Sequence, residues 1–124
     1  MKLLDTNILI YAAEAQYSSL LLPLVTDSAN FVSSVSIVET LGFHRITPAQ
    51  ITFFENLFKI LKTIPIEDEI IQKAVQLRQM KKMSLGDSLV AATALSNGAE
   101  LVTRNTIDFL DIPGLIVLNP LPED

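Results

Sequence analysis

The sequence predicts an α/β domain in which a parallel sheet is covered by helices on both faces, and three observations carry that prediction. Short unbroken apolar segments such as Leu3-Leu4, Phe31-Val32 and Leu101-Val102 alternate with longer amphipathic stretches. Strands that are apolar without alternation are those buried on both faces. Helix punctuation is explicit: Thr47-Pro48-Ala49-Gln50 supplies a cap, a proline at the first helical position and a capping-box glutamine, and Asn97-Gly98 is a left-handed stop. Finally, 124 residues suffice for one compact domain and are too few for two.

The elements follow in order. A first strand at Leu3-Leu4 ends on Asp5. A helix is expected from about residue 18 to 29, its start blurred by Pro23, and residues 30–34 form a second strand. A helix over about 36–46 precedes the capped helix 48–62, whose apolar residues form two stripes, Ile51-Phe54-Phe58-Leu61 and Phe53-Leu57-Ile60. One stripe should enter the core and part of the other should be covered by a second copy of the chain. Thr63-Ile64-Pro65-Ile66 is the third strand. Glu67-Asp68-Glu69 then loads the first turn of a long helix with charge that suits its dipole, and Lys81 and Lys82 suit its far end. Ser84-Leu85-Gly86-Asp87 opens the last helix, which stops at Asn97-Gly98. Leu101-Val102-Thr103 and Leu115-Ile116-Val117-Leu118 complete the sheet. In such sheets the functional crevice lies at the carboxyl ends of the strands, where Asp5 and Asp108 fall.

Composition narrows the function. With 9 basic and 14 acidic side chains the net charge is -5, which argues against gripping nucleic acid by charge alone. Acids gathered round bound cations would reverse the local field. Arg104, Lys81 and Lys82 are then candidate contacts for a substrate phosphate, while the two lysines read equally well as a solvated pair. No apolar run is long enough to cross a bilayer, the first residues are not a secretory signal, and there is no cysteine, so the expected setting is the cytoplasm and no membrane partner is expected. The single histidine, His44, sits beside Arg45 near a helix end and reads as a surface residue.

Four acids stand where burial should be costly. Asp5 ends an apolar run, Glu39 and Asp87 interrupt the apolar stripes of two helices, and Asp108 follows the fourth strand. Burial penalises an ionised carboxylate unless something positive meets it, so a shared cation is implied. Without cysteine that cation is a hard, oxygen-bound ion such as Mg²⁺ or Mn²⁺. Each acid also has an ordinary reading. Asp5 or Asn7 suits a capping turn, Glu39 suits the rim of its helix, Asp87 completes a capping box with Ser84, and Asp108 suits a turn.

Four segments carry a resemblance. Leu3-Leu4-Asp5-Thr6-Asn7-Ile8-Leu9-Ile10-Tyr11, Ser34-Val35-Ser36-Ile37-Val38-Glu39, Gly86-Asp87-Ser88-Leu89-Val90-Ala91-Ala92-Thr93-Ala94 and Leu101-Val102-Thr103-Arg104-Asn105-Thr106-Ile107-Asp108-Phe109 resemble, in order, the four acidic motifs of PIN-domain nucleases, above all VapC-type toxins. The resemblance covers almost the whole chain. It implies a three-layer fold with a five-stranded parallel sheet in the order 3-2-1-4-5. It also implies a Mg²⁺- or Mn²⁺-dependent endoribonuclease with one or two ions, leaving 5'-phosphate and 3'-hydroxyl ends. Asp5, Glu39, Asp87 and Asp108 would be the metal-site acids, with Asn7 and Thr103 as polar neighbours. Many relatives carry an acid at the position of Asn105, so its amide weakens the case for a second ion. The implied partners are RNA, a small antitoxin whose basic residue enters the acidic pocket, and a second copy of the chain.

Two rivals stay in view. A receiver-like signalling domain is also acidic and Mg²⁺-binding, but it calls for adjacent acids after the first strand and a lysine after the last, and this chain has Asp5-Thr6-Asn7 and no lysine beyond Lys82. A catalytically inactive PIN-like interaction module would keep the fold and lose the chemistry.

Overall fold

The computed structural model describes residues 1–122. The chain runs β1 (Lys2–Leu4), α1 (Thr6–Ala12), α2 (Ala15–Val25), β2 (Phe31–Ser33), α3 (Ser34–Leu41), α4 (Pro48–Ile60), β3 (Lys62–Ile64), α5 (Asp68–Met80), α6 (Leu85–Ser96), β4 (Glu100–Val102), a one-turn 3-10 helix (Thr106–Phe109) and β5 (Val117–Leu118). All strand pairs are parallel, in the order β3-β2-β1-β4-β5. The α/β class and the strand order are therefore as expected.

Each strand is only two or three residues long, so what holds the sheet is burial of both its faces. On β1, Leu3 packs into one apolar cluster and Leu4 into another, and Leu101 and Val102 on β4 divide in the same way. Successive side chains of a strand point to opposite faces, so adjacent leucines can each be wholly inside. One cluster is roofed by α5 and α6, through Ile70, Ala74, Leu77, Val90, Ala91 and Ala94. The other is roofed by α1, α2 and α4, through Ile8, Leu9, Leu21, Val25, Phe54 and Leu57. The run of alanines on α6 lets its backbone lie close to the sheet.

Local signals account for most helix boundaries. The Thr47 side chain accepts from Gln50 N–H while the Gln50 side chain caps Thr47 N–H, with Pro48 opening the helix. Ser84 Oγ accepts from Asp87 N–H at 3.1 Å. Gly98 follows the Asn97 cap of α6 at a φ of 61°, a conformation that costs glycine little.

Three expectations need correction. Residues 6–12 form a helix that local pattern did not announce, because Asn7, β-branched Ile8 and Ile10, and Tyr11 are weak helix formers. Its stability comes from packing Ile8, Leu9 and Ala12 into the core and from its contact with α2. Second, α2 starts earlier than expected and stops at Val25, with Pro23 inside it, and α3 spans 34–41 rather than 36–46, ending at Gly42. Third, neither stripe on α4 is the buried one. Phe54, Leu57 and Leu61 are inside, Phe53 and Phe58 pack beside them, and only Ile51 and Ile60 of that set are exposed. The core line draws on both stripes, and the large apolar residues α4 leaves exposed are Ile51 and Ile60.

Candidate metal centre

Asp5 follows β1 directly, at the carboxyl end of the central strand of the sheet. It is 6% exposed and caps α1, its Oδ1 accepting from Thr6 N–H at 2.8 Å. Its Oδ2 accepts from the hydroxyl of fully buried Thr103 at 2.8 Å, across the β1–β4 pair. The capping reading of Asp5 is thus realised, and the cap leaves its second oxygen to the Thr103 hydroxyl. Asn7 joins the same network, donating to Thr103 Oγ1 at 3.1 Å and accepting from Arg104 N–H at 3.4 Å.

Burial pushes the Asp5 carboxyl up to about 6. The Thr103 and Thr6 hydrogen bonds pull it down, and the charges of Asp87 and Glu39 push it up. Asp87, in the first turn of α6 and half-buried, is also raised, by burial first and then by Asp108 and Glu39, against the opposing Ser84 hydroxyl and Lys81. Asp87 thus links the two sides of the group, acting on Asp5 and feeling Asp108 and Glu39. Glu39 reaches the group from α3. Its Oε1 accepts from the Thr6 hydroxyl at 2.7 Å, and that hydroxyl lies 2.8 Å from buried Ser36 Oγ.

The four acids named from sequence thus come to one mouth of the sheet, but the premise that all four are buried is corrected. Only Asp5 is buried, Asp87 is intermediate, and Glu39 and Asp108 are exposed. Glu39 stands at the rim of its helix, and Asp108 lies on the solvent side of the 3-10 turn after β4, whose Phe109 is buried. Among the described residues no three acidic or histidine side chains are gathered closely enough to form a metal-ligand set as they stand. In kind the donors do suit a hard divalent cation: several carboxylates, no thiol, mutual repulsion, and two acids raised by burial among like charges. Unneutralised carboxylates repel one another, and a cation bound between them would offset that repulsion.

The three cations named from sequence are placed differently from one another. Arg104 lies with its guanidinium carbon 5.2 Å and 5.1 Å from the ring centres of Tyr11 and Tyr17, whose own rings meet edge-on at 5.3 Å. It acts as a strut between the end of β4 and the α1–α2 pair. Lys81 Nζ donates to the Leu110 carbonyl at 2.6 Å, tying the end of α5 to the segment after the 3-10 turn, close enough to Asp87 to ease its charge. Lys82 is exposed. Asn105 is exposed as well, and its N–H donates to Thr103 Oγ1 at 3.1 Å. His44 is on the surface against Phe43, as expected. Sequence reasoning did not single out Thr6 and Ser36 as members of the site. Their only signal was that small hydroxyl residues stood beside Asp5 and one helical turn before Glu39.

Comparison with known proteins places the fold in a family. The PIN domain family model matches residues 2–115. A chain of a toxin–antitoxin complex from Klebsiella pneumoniae is 31% identical with a TM-score of 0.77, covering 99% of this chain and 100% of that one. A chain of VapBC2 from Rickettsia felis, solved on a promoter DNA fragment, is 25% identical with a TM-score of 0.77, covering 95% and 97%. At 19% identity, a chain of DNA-bound VapBC from Salmonella typhimurium shares the fold with a TM-score of 0.82, covering 97% and 98%. A search of curated proteins returned no match. The fold and the strand order have one common explanation: the chain belongs to the PIN-domain family, with chains of VapBC-type toxin–antitoxin complexes among its structural neighbours.

Proposed function

We propose that this chain is a Mg²⁺- or Mn²⁺-dependent endoribonuclease and the toxin of a toxin–antitoxin pair. The observation that carries the reading is Asp5: a carboxylate buried at the end of the central strand, raised to about 6, whose charged neighbours Asp87 and Glu39 are also acids. Such a group is costly to keep ionised in the metal-free chain, and a cation would relieve it.

Asp5 and Asp87 would hold the principal ion, Glu39 would share it or orient the attacking water, and Asp108 would help recruit a second. A hard divalent cation supplies a lower water pKa and neutralises charge on phosphorus during in-line attack. The protein's own part is positional. Thr103 and Thr6 N–H fix both oxygens of Asp5, and the Ser84 cap sets the first turn of α6 that presents Asp87. An RNA substrate fits the class of chemistry, and the net charge of -5 means that metal ions and a few local cations must carry phosphate recognition.

The antitoxin reading has its own support. Beside Glu39 lies a recess of about 180 Å³ lined by Ile10, Phe43, Ile46 and Phe54. Ile10, Val38 and Phe43 are 42%, 70% and 51% exposed next to it. A partner segment packing there could place an Arg or Lys among the acids and pair with them in place of metal. Self-association of this chain is part of the same proposal, and on α4 the large apolar residues open to a second copy are Ile51 and Ile60.

The test is RNA cleavage by the purified chain with Mg²⁺, with chelator and as Asp5→Asn, together with expression in cells with and without the partner encoded beside it. Cleavage that needs the metal and disappears in Asp5→Asn, with growth arrest relieved by the partner, is the expected result. Undiminished cleavage by Asp5→Asn overturns the site, and a metal-replete chain that cleaves no RNA favours the interaction module. Among the described residues no helix is long and apolar enough to cross a membrane.

A further inference from the structure

Gly86 occupies the first turn of α6, where its backbone does not require glycine: it has no positive φ of the kind that Gly98 and Gly114 show. Helix preference alone favours alanine at such a position. A Cβ built on Gly86 would lie 2.7 Å from Glu39 Oε2, 3.4 Å from Cδ and 3.6 Å from Oε1, and these three atoms are its nearest neighbours. The carboxylate of one helix therefore rests against the bare Cα of another.

The opposite side of the same carboxylate is also fixed. Glu39 Oε1 accepts the Thr6 hydroxyl proton at 2.7 Å. A hydroxyl has one proton to give, so the contact of 2.8 Å between Thr6 Oγ1 and Ser36 Oγ must be donated by Ser36. The chain of donation is Ser36 to Thr6 to Glu39, and its two hydroxyl residues are buried. Thr6 also gives its N–H to Asp5, so one residue registers the exposed acid against the buried one.

We propose that Thr6 and Gly86 are positioning residues that together seat the Glu39 carboxylate: Thr6, backed by Ser36, holds one oxygen and the missing side chain of Gly86 makes room for the other. The inference rests on the reading of Glu39 as a metal-site acid and adds to it the reason why an exposed glutamate, on a flexible stem, has a defined place. A methyl group at residue 86 displaces only the far end of that stem, so the fold survives the change. The helix then gains its preferred residue, and Oε1 leaves the Thr6 hydroxyl.

The experiment measures Mn²⁺ binding by calorimetry and melting in metal-free buffer for Gly86→Ala, Thr6→Val, Thr6→Ser, Glu39→Gln and the double change Gly86→Ala with Glu39→Gln, with Asp5→Asn as reference. Gly86→Ala should melt at or above the parent temperature and bind Mn²⁺ about tenfold more weakly, the scale on which supporting groups tune a metal site. Thr6→Val should weaken binding similarly, and Thr6→Ser should restore it. In the Glu39→Gln background Gly86→Ala should cost nothing further, because neighbours that act through one group are not additive. If Asp5→Asn abolishes binding while Gly86→Ala and Thr6→Val leave it intact, the seat is wrong and the site stands. A full effect of Gly86→Ala in the Glu39→Gln background, or lost RNA cleavage at unchanged Mn²⁺ affinity, overturns the seat as well. Should Asp5→Asn itself bind Mn²⁺ normally, the site reading fails and the seat fails with it.

Discussion

Asp5 and Asp108 follow neighbouring strands of one sheet and open on the same mouth, yet they are held quite differently. Asp5 is 6% exposed, caps a helix with one oxygen and accepts a buried hydroxyl with the other. Asp108 is exposed on a single 3-10 turn that buried Phe109 anchors to the core, and its influence on the site is the push its charge exerts on Asp87. A rigid, desolvated carboxylate stores the free energy that binding a cation releases. A solvated one stores little and contributes when substrate and ion arrive together. On the proposed metal-dependent reading, the principal ion belongs to the Asp5 side and any second, weaker one to the Asp108 side.

The largest test of that contrast is a pair of substitutions. Asp5→Asn should abolish Mg²⁺-dependent cleavage of RNA, whereas Asp108→Asn should lower it by about 10-fold to 100-fold, as for a supporting site residue. Equal losses in the two variants would erase the distinction between the two sides.

Stability against pH is the next. The Asp5 carboxyl is raised from 3.8 to about 6 in the folded chain, so the folded state binds the proton more tightly than the unfolded one. The penalty is absent below the unfolded value, grows as pH rises towards 6 and is complete above it. At about 1.4 kcal/mol per tenfold in proton affinity, that is on the order of 3 kcal/mol of stability lost without metal. Urea melts of the metal-free chain should show this fall between pH 4 and 7, and Asp5→Asn should flatten the curve and be the more stable protein at pH 7. A parent curve that is already flat would remove Asp5 as a strained group.

Thr103→Val probes what holds the buried acid. The change removes a donor to Asp5 at nearly constant volume and should cost about 1 to 2 kcal/mol. The loss should be greater at pH 7 than at pH 4, because the ionised carboxylate needs the donor more. A pH-independent loss would assign Thr103 to packing alone.

The smallest expected effect lies on the open side. Asn105 is exposed beside the Thr103 hydroxyl, and Asn105→Asp adds a fourth negative group to the Asp5, Asp87 and Asp108 side of the mouth. It should lower the Mg²⁺ concentration for half-maximal cleavage a few-fold, on the order of 1 kcal/mol. An unchanged metal titration would place residue 105 outside the influence of the second ion.

Much of the architecture was legible before any coordinates. Apolar strand pairs such as Leu3-Leu4 and Leu101-Val102 announce two buried faces, and caps such as Thr47 to Gln50 mark helix starts, because both signals act over a few residues. The four acids were legible for a related reason: each breaks an apolar pattern or closes a strand, and their order matched one family. What failed was local inference about residues whose state is set at a distance. Helix α1 forms from poor helix formers because Ile8, Leu9 and Ala12 find a core. The buried line of α4 crosses both expected stripes because the sheet below it selects Phe54, Leu57 and Leu61.

By itself, then, the sequence determined the class of fold, the positions of most elements and which acids are candidates for a site, since periodicity, capping and residue chemistry are carried by near neighbours along the chain. Only the tertiary structure decided that Asp5 is buried while Glu39 and Asp108 are not. It alone brought Thr103 to Asp5 across 98 residues, and Glu39 to Thr6 and to Gly86 across the helix ends. Desolvation, like-charge repulsion and the clearance of a single Cβ depend on which surfaces meet, and the meeting of surfaces is a property of the packed molecule.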